Sequence, residues 1–154
     1  MKKVFRWIAI VVVMIFIVIQ FIPGSYPKNK PADENDIITY HQVPQEVAAI
    51  LKTSCYDCHS NQISYPWYSR IAPVSFLLSH DINEGREELN FSDWGKFEKR
   101  RMIKKLDELT EEVEEGHMPL PIYTFIHTNA KLNDEQKEVL DNWANTLMEK
   151  IVEE

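Results

Sequence analysis

A short motif near the middle of the chain constrains its fold more than any other feature. Cys55 and Cys58 are separated by two residues, and His59 follows directly. Thiols at this spacing can form thioethers with the vinyl groups of a porphyrin, and the adjacent histidine can then bind the iron. The chain contains no other cysteine. The motif therefore predicts one covalent haem c, with Cys55, Cys58 and His59 as cofactor-binding residues and His59 as an iron ligand.

Three other interpretations of the motif stay open. A dithiol redox site of the thioredoxin type expects a βαβ context, which the flanking sequence does not show. A zinc site would be completed by His59 and by His41 or His80, although the chain has no second Cys-x-x-Cys pair. A disulfide between the two cysteines would close a two-residue loop and stabilise little.

The N-terminus carries a long apolar run that is flanked by positive charge. Residues 4–22 follow Lys2 and Lys3, Arg6 lies within them, and Pro23 and Gly24 end the run. Its 19 residues approach the ~20 that cross a bilayer as a helix, and the charges favour a cytoplasmic N-terminus. We therefore expect residues 1–22 to be a transmembrane helix, either a membrane anchor or an uncleaved signal. A cleaved signal peptide is the alternative, but no small-x-small site follows the run.

This prediction places the protein in the bacterial cytoplasmic membrane as a single-pass protein, with its C-terminal body on the periplasmic side and its N-terminal helix in the lipid bilayer. All 24 acidic residues and 14 of the 17 basic residues lie after residue 23, which leaves that part with a net charge of −10. Nucleic-acid-binding modules need a basic face, so we do not expect a nucleic acid as partner.

The sequence after the apolar run predicts a linker followed by one all-α domain. Residues 23–36 are polar and contain three prolines, which is typical of a linker. Residues 37–154 then form one small helical domain around the haem. We predict helices over residues 44–53, 73–87, 92–115 and from 133 onward, with Ser92 and Asn133 at two N-termini and Gly116 as a left-handed cap. The last helix is expected to bury Leu140, Trp143, Leu147 and Ile151.

An iron bound by His59 has a second axial position, for which the chain offers several donors. Met118 follows Gly116 and precedes Pro119, and a residue before proline is biased toward extended geometry. It lies 59 residues beyond His59, which is enough chain to return to the other haem face. We expect Met118 to be the second metal ligand and His80 to be the alternative. The remaining candidates are Met102, Met148, His41, His117 and His127.

Aromatic and basic residues close behind the motif are further candidates for the cofactor pocket. Tyr65, Trp67 and Arg70 lie within a dozen residues of His59. Aromatic rings pack well against a porphyrin, and a phenol, an indole N–H or a guanidinium can hydrogen-bond a propionate. Arg86 is a second candidate for a propionate contact. The alternative is an aromatic cluster that only packs the domain.

Two stretches resemble a known family. They are CYDCHSNQISYPWYSRIAPVSFLLSHDINEGREELNFSDW and EEGHMPLPIYTFIHTNAKLNDEQKEVLDNW, within residues 40–145. They resemble the bacterial haem-binding domain family of cytochrome c-like proteins. The resemblance implies haem c on Cys55 and Cys58, His59 as axial ligand, and a Met118-Pro119 pair that faces the haem. Related sequences often carry Met-Pro-Pro, whereas Leu120 separates the two prolines here.

Three functional classes are compatible with such a site. An electron carrier would pass single electrons between redox partner proteins at the membrane through a His/Met-ligated haem. A peroxidase-like enzyme needs an open second axial position and an acid–base residue near it, and a sensor of gas or redox state needs ligand exchange. No second catalytic or signalling motif is visible, so we expect an electron carrier more than a catalyst.

Overall fold

The computed structural model describes residues 1–22 and 24–153, and in that part every regular element is a helix. The α-helices are α1 (Lys2–Ile19), α2 (Ile37–Tyr40), α3 (Gln45–Ser54), α4 (Tyr56–His59), α5 (Val74–Glu88), α6 (Lys99–Glu114), α7 (Pro121–Ile126) and α8 (Asp134–Glu153). Three 3-10 helices span Trp67–Arg70, Phe91–Lys96 and Thr128–Ala130. The described residues contain no strand, in agreement with the all-α prediction. Pro23, expected to end the first helix, and Glu154, the last residue of the predicted domain, lie outside the described residues.

The predicted transmembrane helix is wrong. Among the described residues, no helix combines the length and the apolar character that a bilayer crossing requires. Helix α1 has 18 residues, but Lys2, Lys3 and Arg6 occupy its first turns. The uninterrupted apolar part, residues 7–19, is about 20 Å long at 1.5 Å per residue, against a hydrocarbon core of about 30 Å. The single-pass location in the cytoplasmic membrane and the periplasmic placement depended on this helix and are wrong with it.

The N-terminal segment is tied to the helical domain by side-chain hydrogen bonds. Gln20, which caps α1, donates from Nε2 to the carbonyl of Ala72 and accepts at Oε1 from the amide of Ala72, both at 3.0 Å. Asn29 makes the same two-way contact with Ile63, at 2.6 and 3.2 Å. Residues on both sides of Pro23 therefore contact the domain that contains the Cys-x-x-Cys-His motif.

The core lies between α6 and α8, with α3 packed against α8. Helix α6 buries four apolar side chains at helical spacing: Met102, Leu106, Leu109 and Val113. Helix α8 contributes Leu140, Ala144, Leu147 and Ile151. This confirms the predicted stripe of the last helix except at Trp143, which is only half-buried. Asn133 also begins that helix as predicted, because its Oδ1 accepts from the amide of Gln136 at 2.8 Å.

The predicted start of the third long helix is wrong, whereas its end is right. Ser92 lies in the 3-10 helix Phe91–Lys96, and α6 begins only at Lys99. The hydroxyl of Ser92 donates to the carboxylate of Asp36 at 3.2 Å and does not cap α6. Gly116 has φ of +77°, the left-handed conformation that favours glycine, directly after the helix.

Candidate cofactor site

The Cys-x-x-Cys-His motif forms a single helical turn between two longer helices. Cys55 separates α3 from α4, and the amide of His59 donates to the carbonyl of Cys55 at 2.9 Å, which closes the turn. A cavity of 340 Å³ is lined by all three motif residues, and a neighbouring cavity of 470 Å³ shares Cys55 and His59 with it. These volumes are in the range of small-molecule and cofactor sites. The turn therefore presents both thiols and the imidazole to one concave region.

A buried hydrogen-bond network holds the motif turn in place. The carboxylate of Asp36, which is 1 % exposed, accepts from the hydroxyl of Tyr56 at 2.8 Å and from the amide side chain of Gln62 at 2.9 Å. It also accepts from Ser92 and from the amide of Ile38. A carboxylate with four donors is well satisfied inside a protein. Asp36 thus links α2, the motif turn and the 3-10 helix after α5.

The backbone partner of His59 determines which of its ring nitrogens could bind a metal. Its Nδ1 lies 3.0 Å from the carbonyl oxygen of Leu89, so the proton of the neutral ring is held on Nδ1. Burial lowers the pKa of the imidazole, against the effect of hydrogen bonds to the carbonyls of Leu89 and Gly85, and this favours the neutral ring. A histidine that donates from one nitrogen to a carbonyl offers the other to a metal. In His59 that nitrogen is Nε2.

The pKa values of the two motif thiols are too high for dithiol redox chemistry. Burial, followed by the proximity of the Cys58 thiol, raises the pKa of Cys55 to about 12. Burial, followed by the charges of Asp57 and Asp81, raises the pKa of Cys58 to about 12. Redox-active dithiols instead depend on a lowered pKa. The structure gives both cysteines as free thiols.

This predicts slow alkylation of the folded apoprotein. From an ordinary value of 9.0, a pKa near 12 lowers the thiolate fraction about a thousandfold at pH 8. We expect iodoacetamide to react far more slowly with the native apoprotein than with urea-unfolded protein, as mass spectrometry would show. Because the folded-state pKa is the higher one, these thiols contribute stability that is fully present below pH 9 and is lost as pH rises toward about 12. Rapid alkylation of the native protein near pH 7 would support a dithiol site instead.

Met118 lies where the sequence placed it, just beyond the end of α6. Its amide donates to the carbonyl of Glu112 at 3.0 Å, and its side chain packs partly against the core. Met118 and Pro119 line both cavities beside the motif. The thioether and the His59 imidazole therefore border the same space, although they are far apart in sequence.

The other candidate ligands lie elsewhere and do not line these two cavities. His80 is exposed and pairs with Glu84 at 3.3 Å. His41 accepts from the indole of Trp94 at 2.8 Å. The rest are Met102 and Met148 in the helical core, His117 beside Glu112 and Glu115, and His127 beside Tyr68. Within the described part of the chain, no group of three or more His, Cys, Asp or Glu side chains is arranged to hold a metal ion, so neither His41 nor His80 completes a zinc site.

The predicted aromatic and basic residues are not brought to the cavities. Tyr65 donates to the carbonyl of Pro27 at 2.7 Å, Trp67 is 85 % exposed, and Arg70 is exposed. None of the three is among the residues that line either cavity. Arg86 is half-buried, with two guanidinium nitrogens that meet no hydrogen-bond partner among the described residues. The structure thus groups Cys55, Cys58, His59 and Met118 but leaves Tyr65, Trp67 and Arg70 apart from them.

A contact between Asp57 and Tyr123 was missed by sequence reasoning. Asp57 lies between the two cysteines, and its carboxylate accepts from the hydroxyl of Tyr123 at 2.8 Å and from the amide of Ser64 at 2.8 Å. Burial and the Asp57 carboxylate raise the pKa of Tyr123, which keeps its hydroxyl a donor. Tyr123 also stacks on His127, with ring centroids 4.4 Å apart. No spacing in the sequence predicts this contact. It connects α7, and therefore the segment after Met118, to the motif turn.

Gly85 allows helix α5 to approach the motif closely. A Cβ atom at this position would lie 3.1 Å from the carbonyl oxygen and 3.3 Å from the Cβ of Cys58. The neighbour is the backbone of the motif itself, which is held by the Asp36 network. A side chain at position 85 would therefore displace the thiol-bearing turn or the helix.

We predict that Gly85→Ala destabilises the protein by about 1 to 2 kcal/mol. Alanine favours a helix interior by up to about 1 kcal/mol over glycine, but overpacking costs about 1–3 kcal/mol. Urea unfolding of the holoprotein measures the change. Glu87→Ala, at an exposed position of the same helix, is the control and should alter stability by less than about 0.5 kcal/mol. Stabilisation by Gly85→Ala would show that α5 does not depend on this close approach.

Comparison with known proteins gives one match. Residues 14–146 match the profile of a family described as "Haem-binding domain", which covers most of the chain. No curated protein and no solved structure matches the chain.

Proposed function

This chain belongs to the haem-binding domain family and is a haem protein, and on that premise we propose that Cys55 and Cys58 hold one haem c through thioethers. The observation that carries the proposal is the hydrogen bond from His59 Nδ1 to the carbonyl of Leu89 at 3.0 Å. It fixes the tautomer that offers Nε2 to iron, beside a cavity that both thiols line. His59 is accordingly the proposed axial ligand on the side of the motif.

Met118 is the proposed second axial ligand. It borders both cavities together with His59, and Gly116 ends α6 just before it. Of the sulphur and imidazole donors considered from the sequence, the alternatives are engaged in the core or in ion pairs and hydrogen bonds outside this region.

A site with His59 and Met118 as ligands suits one-electron transfer. When bound, a haem supplies reversible Fe(III)/Fe(II) chemistry, and its potential is set by the axial ligands, burial and nearby charge. The chain's part would be to keep both ligands in position and to shield the site with Leu89, Phe91 and Leu109. The partners are redox proteins that exchange electrons with this site.

An optical and resonance Raman study of the purified protein in both oxidation states tests this function. We expect a six-coordinate, low-spin site in each state, with the weak near-infrared band of sulphur–iron ligation in the ferric form. We also expect carbon monoxide to bind slowly to the reduced protein, because Met118 must first be displaced. Fast carbon monoxide binding or substantial peroxide turnover would favour the sensor or the peroxidase-like enzyme.

A further inference from the structure

The larger cavity beside the motif has an unusual charge distribution. Of the described residues that line it, Lys105 is the one with a lysine or arginine side chain. Four carboxylates line the same cavity: Glu88, Glu108, Glu111 and Glu112. An anionic group that entered this cavity would meet repulsion everywhere except near Lys105.

Lys105 is also held inside the cavity wall, unlike its neighbour on the helix. The residue is only 9 % exposed, and its Nζ lies 2.7 Å from Glu108 and 3.3 Å from Glu88. The side chains of these partners are 36 % and 73 % exposed, so water can solvate them without the ammonium. Lys104 contacts Glu108 from outside, with a side chain that is 69 % exposed. The ammonium is therefore a largely buried cation in the cavity wall, and its two carboxylate partners can be solvated without it.

Lys105 and His59 line the same cavity. A group that binds Lys105 would therefore lie within the same cavity as the imidazole. A haem carries two propionates, which are anionic at neutral pH and need a cation or hydrogen-bond donors when they are buried.

We propose that Lys105 binds a haem propionate, and that Glu88 then gives up its contact with the ammonium and turns to solvent. This rests on the proposed haem c site and adds a cofactor-binding residue to it. Lys105 here takes the role that the sequence suggested for Arg70, which lies outside the cavity lining. The ammonium also stabilises the ferrous state relative to the ferric state, since ferric iron carries one more positive charge.

The test uses full-length holoprotein, matured by the c-type assembly machinery, with four variants: Lys105→Met, Lys105→Arg, Lys104→Met and Arg70→Met. Two quantities are measured, the propionate bending band in the resonance Raman spectrum and the midpoint potential. We expect Lys105→Met to shift the band strongly and to lower the potential, and Lys105→Arg to retain the potential but to move the band slightly. Lys104→Met, which removes an equal charge one residue away, should leave the band unchanged. Arg70→Met should also leave the propionate band unchanged.

Each outcome decides between the alternatives. An unchanged propionate band in Lys105→Met, with the haem still attached, overturns the proposal, and a shift in Arg70→Met alone assigns the propionate to Arg70. If Lys105→Met fails to fold, Lys105→Arg still decides, because the guanidinium changes the geometry of a direct contact and should move the band slightly but measurably. If the wild-type protein carries covalent haem but the Lys105 variants change neither the propionate band nor the potential, the proposal for Lys105 fails and the proposed function stands. A wild-type protein without haem overturns both.

Discussion

Substitution of both Cys55 and Cys58 by serine is expected to abolish covalent haem attachment completely. A serine hydroxyl does not add to the porphyrin vinyl groups, so no bond to the polypeptide can survive denaturation. The measurement is haem staining after denaturing electrophoresis of protein matured with the c-type assembly machinery. The wild-type protein should stain at the monomer mass, and the double variant should not stain at all.

The single cysteine variants are the matched controls for this result. Cys55→Ser and Cys58→Ser should each retain haem through one thioether, with absorption shifted to longer wavelength because one vinyl group stays conjugated with the ring. The serine side chain is close to isosteric with cysteine, so the buried turn should still form. Staining of the double variant at the wild-type level would show that the haem is attached somewhere else.

The second large effect is expected at Met118. Met118→Leu removes the thioether but nearly conserves volume, so the fold should change by less than about 1.5 kcal/mol. Loss of the second axial ligand should abolish the near-infrared sulphur–iron band and open the iron to carbon monoxide. We expect the midpoint potential to fall by about 100 mV or more, within the range of about 0.8 V over which axial ligands act.

Met148→Leu provides the matched control, because Met148 packs partly against the core but does not line the cavities. It should retain the band, the potential and the slow carbon monoxide binding of the wild-type protein. An unchanged spectrum in Met118→Leu would reject Met118 as ligand. His80→Ala would then be the next variant, since a bis-histidine site predicts loss of the low-spin spectrum there.

The sequence predicted helices well where burial alone determines them. The spacing of Met102, Leu106, Leu109 and Val113 fixes one face of α6, and all four are buried. The helix predicted over residues 73–87 is present as α5, but its buried face is not an apolar stripe. Its apolar residues Val74 and Leu77 are 40 % and 44 % exposed, while Ser75, Ser79, Ile82 and Gly85 form the buried face. Helix α5 packs closely against the motif turn, and small residues permit that approach better than large apolar ones.

The failure at the N-terminus has a different cause. The apolar content of residues 4–22 favours a membrane crossing. A crossing also requires that one helix is both long enough and sufficiently free of charged residues. In the structure α1 has three basic residues in its first turns and ends at Ile19, and the side chain of the capping residue Gln20 hydrogen-bonds to the backbone of Ala72. That contact joins residues 52 positions apart, and no local pattern predicts it.

The candidate site shows a similar division. Cys55, Cys58 and His59 follow from a local motif, and the placement of Met118 follows from the glycine and proline beside it. The Leu89 carbonyl, Lys105 and the Asp57–Tyr123 bond depend on how distant helices meet. The spacing of residues does not predict hydrogen-bond partners of this kind, because the sequence does not distinguish a buried lysine or tyrosine from an exposed one. Tyr65, Trp67 and Arg70 are close to the motif in sequence, but they do not line the two cavities.

The central claim is that the haem is bound covalently to the two motif cysteines, and peptide mass spectrometry tests it most directly. Trypsin cleaves after Lys52 and Arg70, and the peptide of residues 53–70 contains both cysteines and no internal cleavage site. For matured wild-type protein, we predict that this peptide carries the mass of one haem and that fragmentation assigns it to Cys55 and Cys58. Recovery of the same peptide from haem-loaded protein with two unmodified thiols would contradict the account.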